Sequence, residues 1–183
     1  DKALVQALEM GATSIGGEPT ANAQNLADRM SAAWANFARN GDPNAGSGGG
    51  KTPNWGYTES PLVDGKLVVA TPGGDKGTVA AFDKMTGALV WQSADITEGA
   101  QYSSIIPATI GGKKQYVQLV MQTLFGLDPA NGKLLWRSSW PGRTAVIPTP
   151  IVKGDEVFIS SGYGVGCKKV KVGGAEATDV FMN

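Results

Sequence analysis

One segment of this 183-residue chain is written twice, and that repetition limits the fold more than any other feature. Asp83, Gly87, Leu89 and Trp91 return as Asp128, Gly132, Leu134 and Trp136, each shifted by 45 positions. Four short strands with their turns need a period of about that length, and such a unit buries its faces only by stacking on copies of itself, as in a propeller blade. Ser60-Pro61, Ile106-Pro107 and Thr149-Pro150 mark the starts of three successive units. Within them, β-rich runs such as Leu67 to Ala70, Thr78 to Phe82 and Ala88 to Trp91 alternate with turn residues. The third unit is expected to stop after Val157 to Ser160 and a run from Cys167 to Val172. The expected fold is therefore mainly β: a partial β-propeller of about two and a half four-stranded blades.

The repeated segment has a physical reading of its own. Ala81 to Trp91 predicts strand, tight turn, strand, with Gly87 free to take positive φ and Asp83 bonding backbone amides across the turn. Gly126 to Trp136 repeats it with Asn131-Gly132, a stronger hairpin signal. An aromatic residue at the same place in each unit is expected to wedge between neighbouring sheets, since a buried indole supplies much contact area and needs only one partner for its N–H.

Composition agrees with many turns and few long helices: 26 Gly and 10 Pro make up about a fifth of the chain, against roughly 12% in average proteins. Sixteen Lys and Arg balance sixteen Asp and Glu, so no electrostatic footprint for nucleic acid or an anionic membrane stands out. The chain has no His, which removes Ser-His and Cys-His nucleophiles, His-ligated zinc and an axial His to haem. The single Cys167 excludes an internal disulfide and reads as a small hydrophobe near a strand end. No apolar run reaches the roughly 18 residues of a membrane span, and the opening Asp1 to Leu4 is not patterned as a signal peptide.

Ahead of the repeats the pattern differs. Leu26, Met30, Trp34 and Phe37 recur at helical spacing between Thr20, a predicted N-cap, and the terminator Asn40 to Pro43. A shorter helix is expected over Lys2 to Met10. The expected organisation is a helical segment over 1–45, a Gly-rich linker over 46–54, and a partial propeller over 55–183. The apolar stripe of the helix is expected to cover an open blade face.

The run Ala-x-Asp-x-x-Thr-Gly-x-x-x-Trp at Ala81 to Trp91 resembles the tryptophan-docking motif of pyrroloquinoline-quinone-type propellers, a class that includes quinoprotein alcohol dehydrogenases and non-enzymatic outer-membrane assembly propellers. Ala88 departs from the usual Lys of that motif, and Lys133 restores it in the second copy. The resemblance covers about residues 52–174. It implies a ligand- or partner-binding scaffold, inactive alone, or else a piece of a quinone-dependent oxidoreductase acting on alcohols or a cofactor-free protein-interaction propeller, and a periplasmic or secreted location. Leu26 to Asn44 is similar to the last helix of type-B carboxylesterases, which is scaffold in that family. Nothing here matches the nucleophile elbow or catalytic His of those hydrolases, so no esterase activity is expected.

In a propeller the innermost strands line the central channel, and polar residues just ahead of them are where a ligand is met. These are Glu59 and Ser60 (after Thr58), Tyr102 and Ser103 (before Ser104), and Arg143 and Thr144. If the cofactor of the resembled enzymes, pyrroloquinoline quinone, binds, Arg143 offers a donor fork for its carboxylates, Glu59 an acceptor and Thr144 a hydroxyl. Strand-end capping is the competing account of all six. One Cys cannot form the vicinal disulfide of the dehydrogenases. No acidic cluster suits calcium, because Asp75, Asp83, Asp128 and Asp155 each adjoin turn residues. Pro72 to Gly77 joins two strands and so is no phosphate cradle. Lys168, Lys169 and Lys171 read as a solvated strand edge. Expected partners are further blades or other copies of the chain, which would cover the edges and faces an incomplete ring leaves open, and a small-molecule ligand.

Overall fold

The computed structural model describes residues 53–183, and the helices and linker expected before them lie outside that range. Twelve strands form three four-stranded antiparallel sheets, each in simple sequential order. The first sheet contains β1 (Leu62–Asp64), β2 (Leu67–Ala70), β3 (Ala80–Asp83) and β4 (Leu89–Gln92). The second contains β5 (Ile106–Ile110), β6 (Lys113–Leu119), β7 (Thr123–Leu127) and β8 (Leu134–Ser139). The third contains β9 (Ile151–Lys153), β10 (Glu156–Ser161), β11 (Gly166–Gly173) and β12 (Glu176–Met182). The partial propeller thus has a complete strand set in its third sheet. The expectation that this unit stops at Val172 is corrected by β12, which forms although Glu176 to Met182 carries neither the Asp-to-Gly turn nor a Trp.

The two repeated segments take the same structure. Asp83 Oδ1 accepts from the amides of Met85 and Thr86, and Gly87 N donates to Asp83 O at 2.7 Å. In the second copy Asp128 Oδ1 accepts from Ala130 N, and Gly132 N donates to Asp128 O at 2.8 Å. Gly87 and Gly132 hold φ of 73° and 72°, a conformation that costs a side-chain-bearing residue roughly 1–2 kcal/mol. The Asp83 carboxyl is held below its usual range, first by the Thr86 amide and then by the Thr86 hydroxyl. Beyond the turn, Trp91 pairs with Ala81 and Trp136 with Gly126, and each ladder shifts register just past that pair.

Two apolar seams hold the sheets together. Between the first and second sheets lie Val69, Val79, Ala81 and Trp91 from one side and Tyr116, Phe125 and Leu127 from the other. Between the second and third lie Val117, Leu119, Leu124 and Trp136 against Val157, Ile159, Val170 and Val172. Alternation along β6 and β7 sends successive side chains to opposite seams, so the middle sheet is buried on both faces. Both repeated indoles are wedges between sheets, as expected.

The basic run corrects one expectation. Lys168 is 2% exposed and lies on β11, a central strand between β10 and β12, so it is no solvated edge. Its ammonium faces the seam with the second sheet, pairs with Asp179 Oδ1 at 2.7 Å and donates to Ser139 O at 3.0 Å. Burial of that charge is tolerated because both partners are within reach. Lys169, on the opposite face, pairs with Glu156 at 3.1 Å.

Candidate functional site

The loops ahead of the inner strands are tied across both seams by one repeated contact. Ser60 N donates to Ser104 Oγ at 2.9 Å, and Ser104 N donates to Thr149 Oγ1 at 3.4 Å. The first two units each offer a loop amide to a hydroxyl of the next, so the ladder has a direction. Tyr102 extends the same belt: its hydroxyl accepts from Trp55 N at 3.2 Å, and its amide donates to Val146 O at 3.0 Å.

Beneath the belt at the first seam, Glu59 joins a buried polar network. Its carboxylate accepts from Thr71 N and from Gln118 Nε2 at 3.5 Å. Gln118 Nε2 also donates to Thr71 Oγ1 at 2.6 Å and to Ser103 O at 3.2 Å. Burial of the carboxyl group pushes the Glu59 pKa from 4.5 up to about 7, with the Thr71 amide and hydroxyl pulling the other way. Ser103 is 1% exposed, and its Oγ is the one buried side-chain polar atom without a hydrogen-bond partner among the described residues. Glu59 and Ser103 are linked through Gln118, whose amide reaches the Glu59 carboxylate and the Ser103 carbonyl, and the unpartnered Ser103 hydroxyl is a place where a water or a polar ligand group gains a partner.

Arg143 and Thr144 lie elsewhere. Arg143 lines an open cleft of about 840 Å³ between the second and third sheets, with Thr123, Ser138, Lys168 and Asp179. Its loop is clamped, since Gly142 N donates to Met121 O at 3.0 Å and a Cβ at Gly142 would lie 2.2 Å from that oxygen. Thr144 follows at φ 55°, exposed and left-handed. Among the described residues no hydrogen bond or ion pair joins Arg143 or Thr144 to Glu59. The six candidates therefore divide: Glu59, Ser60 and Ser103 gather at the first seam, Tyr102 bonds to the segments on either side of it, and Arg143, with Thr144 next in sequence, lines the cleft at the second. A quinone carboxylate held by Arg143 and a carbonyl facing Glu59 would need one shared pocket, and no contact among the described residues joins the two side chains, so no chemical step is derived through that cofactor. They also include no group of three or more acidic or Cys side chains placed for a metal.

Two members of the network, Thr71 and Gln118, escape sequence reasoning because neither recurs at the 45-residue period. A signal was present: Gln118 interrupts the apolar run Tyr116 to Val120, where a polar side chain inside a fully buried strand requires partners.

Stacked four-stranded sheets, a repeated Asp-to-Trp turn and a belt of inner-strand loops define a segment of a PQQ-like repeat propeller. The family described as outer membrane protein assembly factor BamB matches residues 45–181, and the chain belongs to that family. No curated protein matches the chain. Among solved structures, BamB from Moraxella catarrhalis is similar at 22% identity and a TM-score of 0.42, over 68% of this chain and 36% of that one. The quinohemoprotein alcohol dehydrogenase of Comamonas testosteroni is similar at 18% identity and a TM-score of 0.44, over 98% of this chain and 29% of that one. The computationally designed Ika4 protein is similar at 18% identity and a TM-score of 0.44, over 62% of this chain and 64% of that one. The chain thus spans less than two thirds of each of these proteins. At such identities, neither activity nor partner passes from them to this chain.

Proposed function

We propose that this chain is a binding scaffold: a run of propeller blades that joins further blades, or other copies of itself, and holds the loops ahead of its inner strands toward a partner. The observation that carries the reading is the one-way ladder from Ser60 through Ser104 to Thr149. A contact repeated with the same direction at both seams is head-to-tail, and head-to-tail contacts propagate until a ring closes. The first and third sheets also keep large apolar side chains exposed, among them Val63 and Val90 on one and Ile151 and Phe181 on the other. In this reading residues 55–183 are the propeller body, 46–54 the linker and 1–45 a helical appendage without hydrolase chemistry, in an extracytoplasmic setting.

Light scattering on the purified chain tests the proposal. Association to multiples of 18.9 kDa that weakens when the exposed Ile151 is substituted is expected. A stable 18.9 kDa species at every concentration up to hundreds of micromolar would overturn it.

A second reading, a small-molecule site at the first seam, is favoured by the unpartnered Ser103 hydroxyl, on a residue whose carbonyl accepts from the same Gln118 amide as Glu59. Titration with pyrroloquinoline quinone tests it in its cofactor form. Saturable quenching of Trp fluorescence that is lost in Ser103→Ala would support a ligand site, and its absence would remove the quinone from consideration.

A further inference from the structure

The two seams differ in one respect that the repeat does not anticipate. At the first, the indole of Trp91 leans onto the β7–β8 turn of the next sheet: Nε1 donates to Pro129 O at 3.0 Å, and the ring covers Gly132. At the second, the indole of Trp136 folds back over its own sheet, where Nε1 donates to Gln115 Oε1 at 2.6 Å. Two local changes account for this. Gly126 stands where the first sheet has Ala81, and a Cβ there would lie 2.3 Å from Trp136 Nε1, so only glycine lets the ring lie down. The β11–β12 hairpin also turns through Gly174 and Ala175 alone, so no counterpart of the 128–132 turn reaches across.

The space that the turn fills at the first seam is consequently a groove at the second. It measures about 320 Å³ and is lined by Ile110, Lys113, Gln115, Leu135, Val172 and Ala175. Lys113 is exposed at its rim and makes no ion pair among the described residues. We propose that this groove receives a tight turn of a partner protein, built of small turn-forming residues and carrying an aspartate. The occupant's class follows from the other seam, where Asp128-Pro129-Ala130-Asn131-Gly132 occupies the equivalent place, and the aspartate follows from the unpaired ammonium of Lys113. The inference rests on the scaffold reading and gives it a specific contact.

The test uses the full chain and a fluorescently labelled cyclic peptide carrying Asp-Pro-Ala-Asn-Gly-Lys, the sequence of residues 128–133. Saturable binding is expected with Kd on the order of 0.1–1 mM, in keeping with a small groove and one rim charge. Ala175→Trp, which fills the groove, should weaken binding at least about tenfold, and Lys113→Glu severalfold. A peptide with Asn in place of Asp should lose its dependence on Lys113. No saturable binding, or binding indifferent to both substitutions, overturns the proposal. Should Ala175→Trp fail to fold, the exposed Lys113→Glu decides alone. An extended peptide without a turn that binds equally well also overturns it. Light scattering separates the two readings: assembly without peptide binding sinks only the groove, and peptide binding by a strict monomer sinks only the ring.

Discussion

The indole of Trp91 lies flat on Gly132 of the neighbouring sheet, so close that a Cβ at 132 would stand 2.4 Å from Cε3. One residue thereby meets two demands, since its φ of 72° favours glycine and its lack of a side chain admits the ring.

Gly132→Ala should therefore cost at least about 2 kcal/mol, the sum of left-handed strain and overpacking. Gly154→Ala is the matched control: its φ is 58°, nothing lies within 4 Å of its Cβ position, and the cost should be about 1 kcal/mol. Urea unfolding measures both. Equal losses would show that the indole does not press on the turn.

Gln115→Leu removes the acceptor of the Trp136 N–H at the second seam. With Trp136 at 1% exposure the N–H is left dry and unpaired, which should cost roughly 1–3 kcal/mol. Trp136→Phe in the same background should recover part of that loss, because it removes the orphan donor; a double-mutant cycle without coupling would refute the pairing.

Glu59 makes stability fall as pH rises. Its folded pKa of about 7 exceeds the ordinary 4.5, so the folded chain holds the proton more tightly. The contribution is complete below pH 4.5 and is lost as pH climbs toward 7, by an amount on the order of 1–3 kcal/mol. Glu59→Gln should flatten the profile across this window. Urea midpoints from pH 4 to 8 test it, and an unchanged slope in the variant would assign the effect to another group.

Asp64 works with the opposite sign at the first seam. Lys114 and then Tyr116 hold its carboxyl below the usual 3.8, with Lys114 Nζ at 2.6 Å and the Tyr116 hydroxyl at 2.7 Å. Its contribution is present above pH 3.8 and is lost as pH falls through the lowered folded value. Tyr116 is pushed up, by burial first and by Asp64 second, and stays protonated at any ordinary pH. Asp64→Ala should cost about 1 kcal/mol through the part-buried Tyr116 hydroxyl, and Lys114→Ala under about 0.5 kcal/mol because its side chain is 54% exposed. Thermal melts that rank these two in reverse would count against the assignment.

The legible parts of this fold were those set by neighbours in sequence. Asp83, Gly87 and Trp91, with their copies 45 residues on, announce turn, register and wedge because each acts within a few positions of itself. The site was only partly legible. Glu59 and Ser103 could be named from their place ahead of inner strands, but Thr71 reaches Glu59 from 12 residues on, and Gln118 meets Glu59 and Thr71 only across the seam, 59 and 47 residues away. Arg143 shared the same sequence rule as Glu59 and went to the other seam, because Gly142 clamps its loop on Met121.

Sequence alone determined that the chain builds repeated sheets with a tryptophan on the outer strand of the first two, since periodicity and turn chemistry are local properties of the backbone. Which way each indole turns, where Lys168 buries its charge and which polar groups share a seam were decided by the tertiary structure. Those outcomes depend on the single atoms, such as the Cβ present at Ala81 and missing at Gly126, that meet only when one sheet is laid on the next.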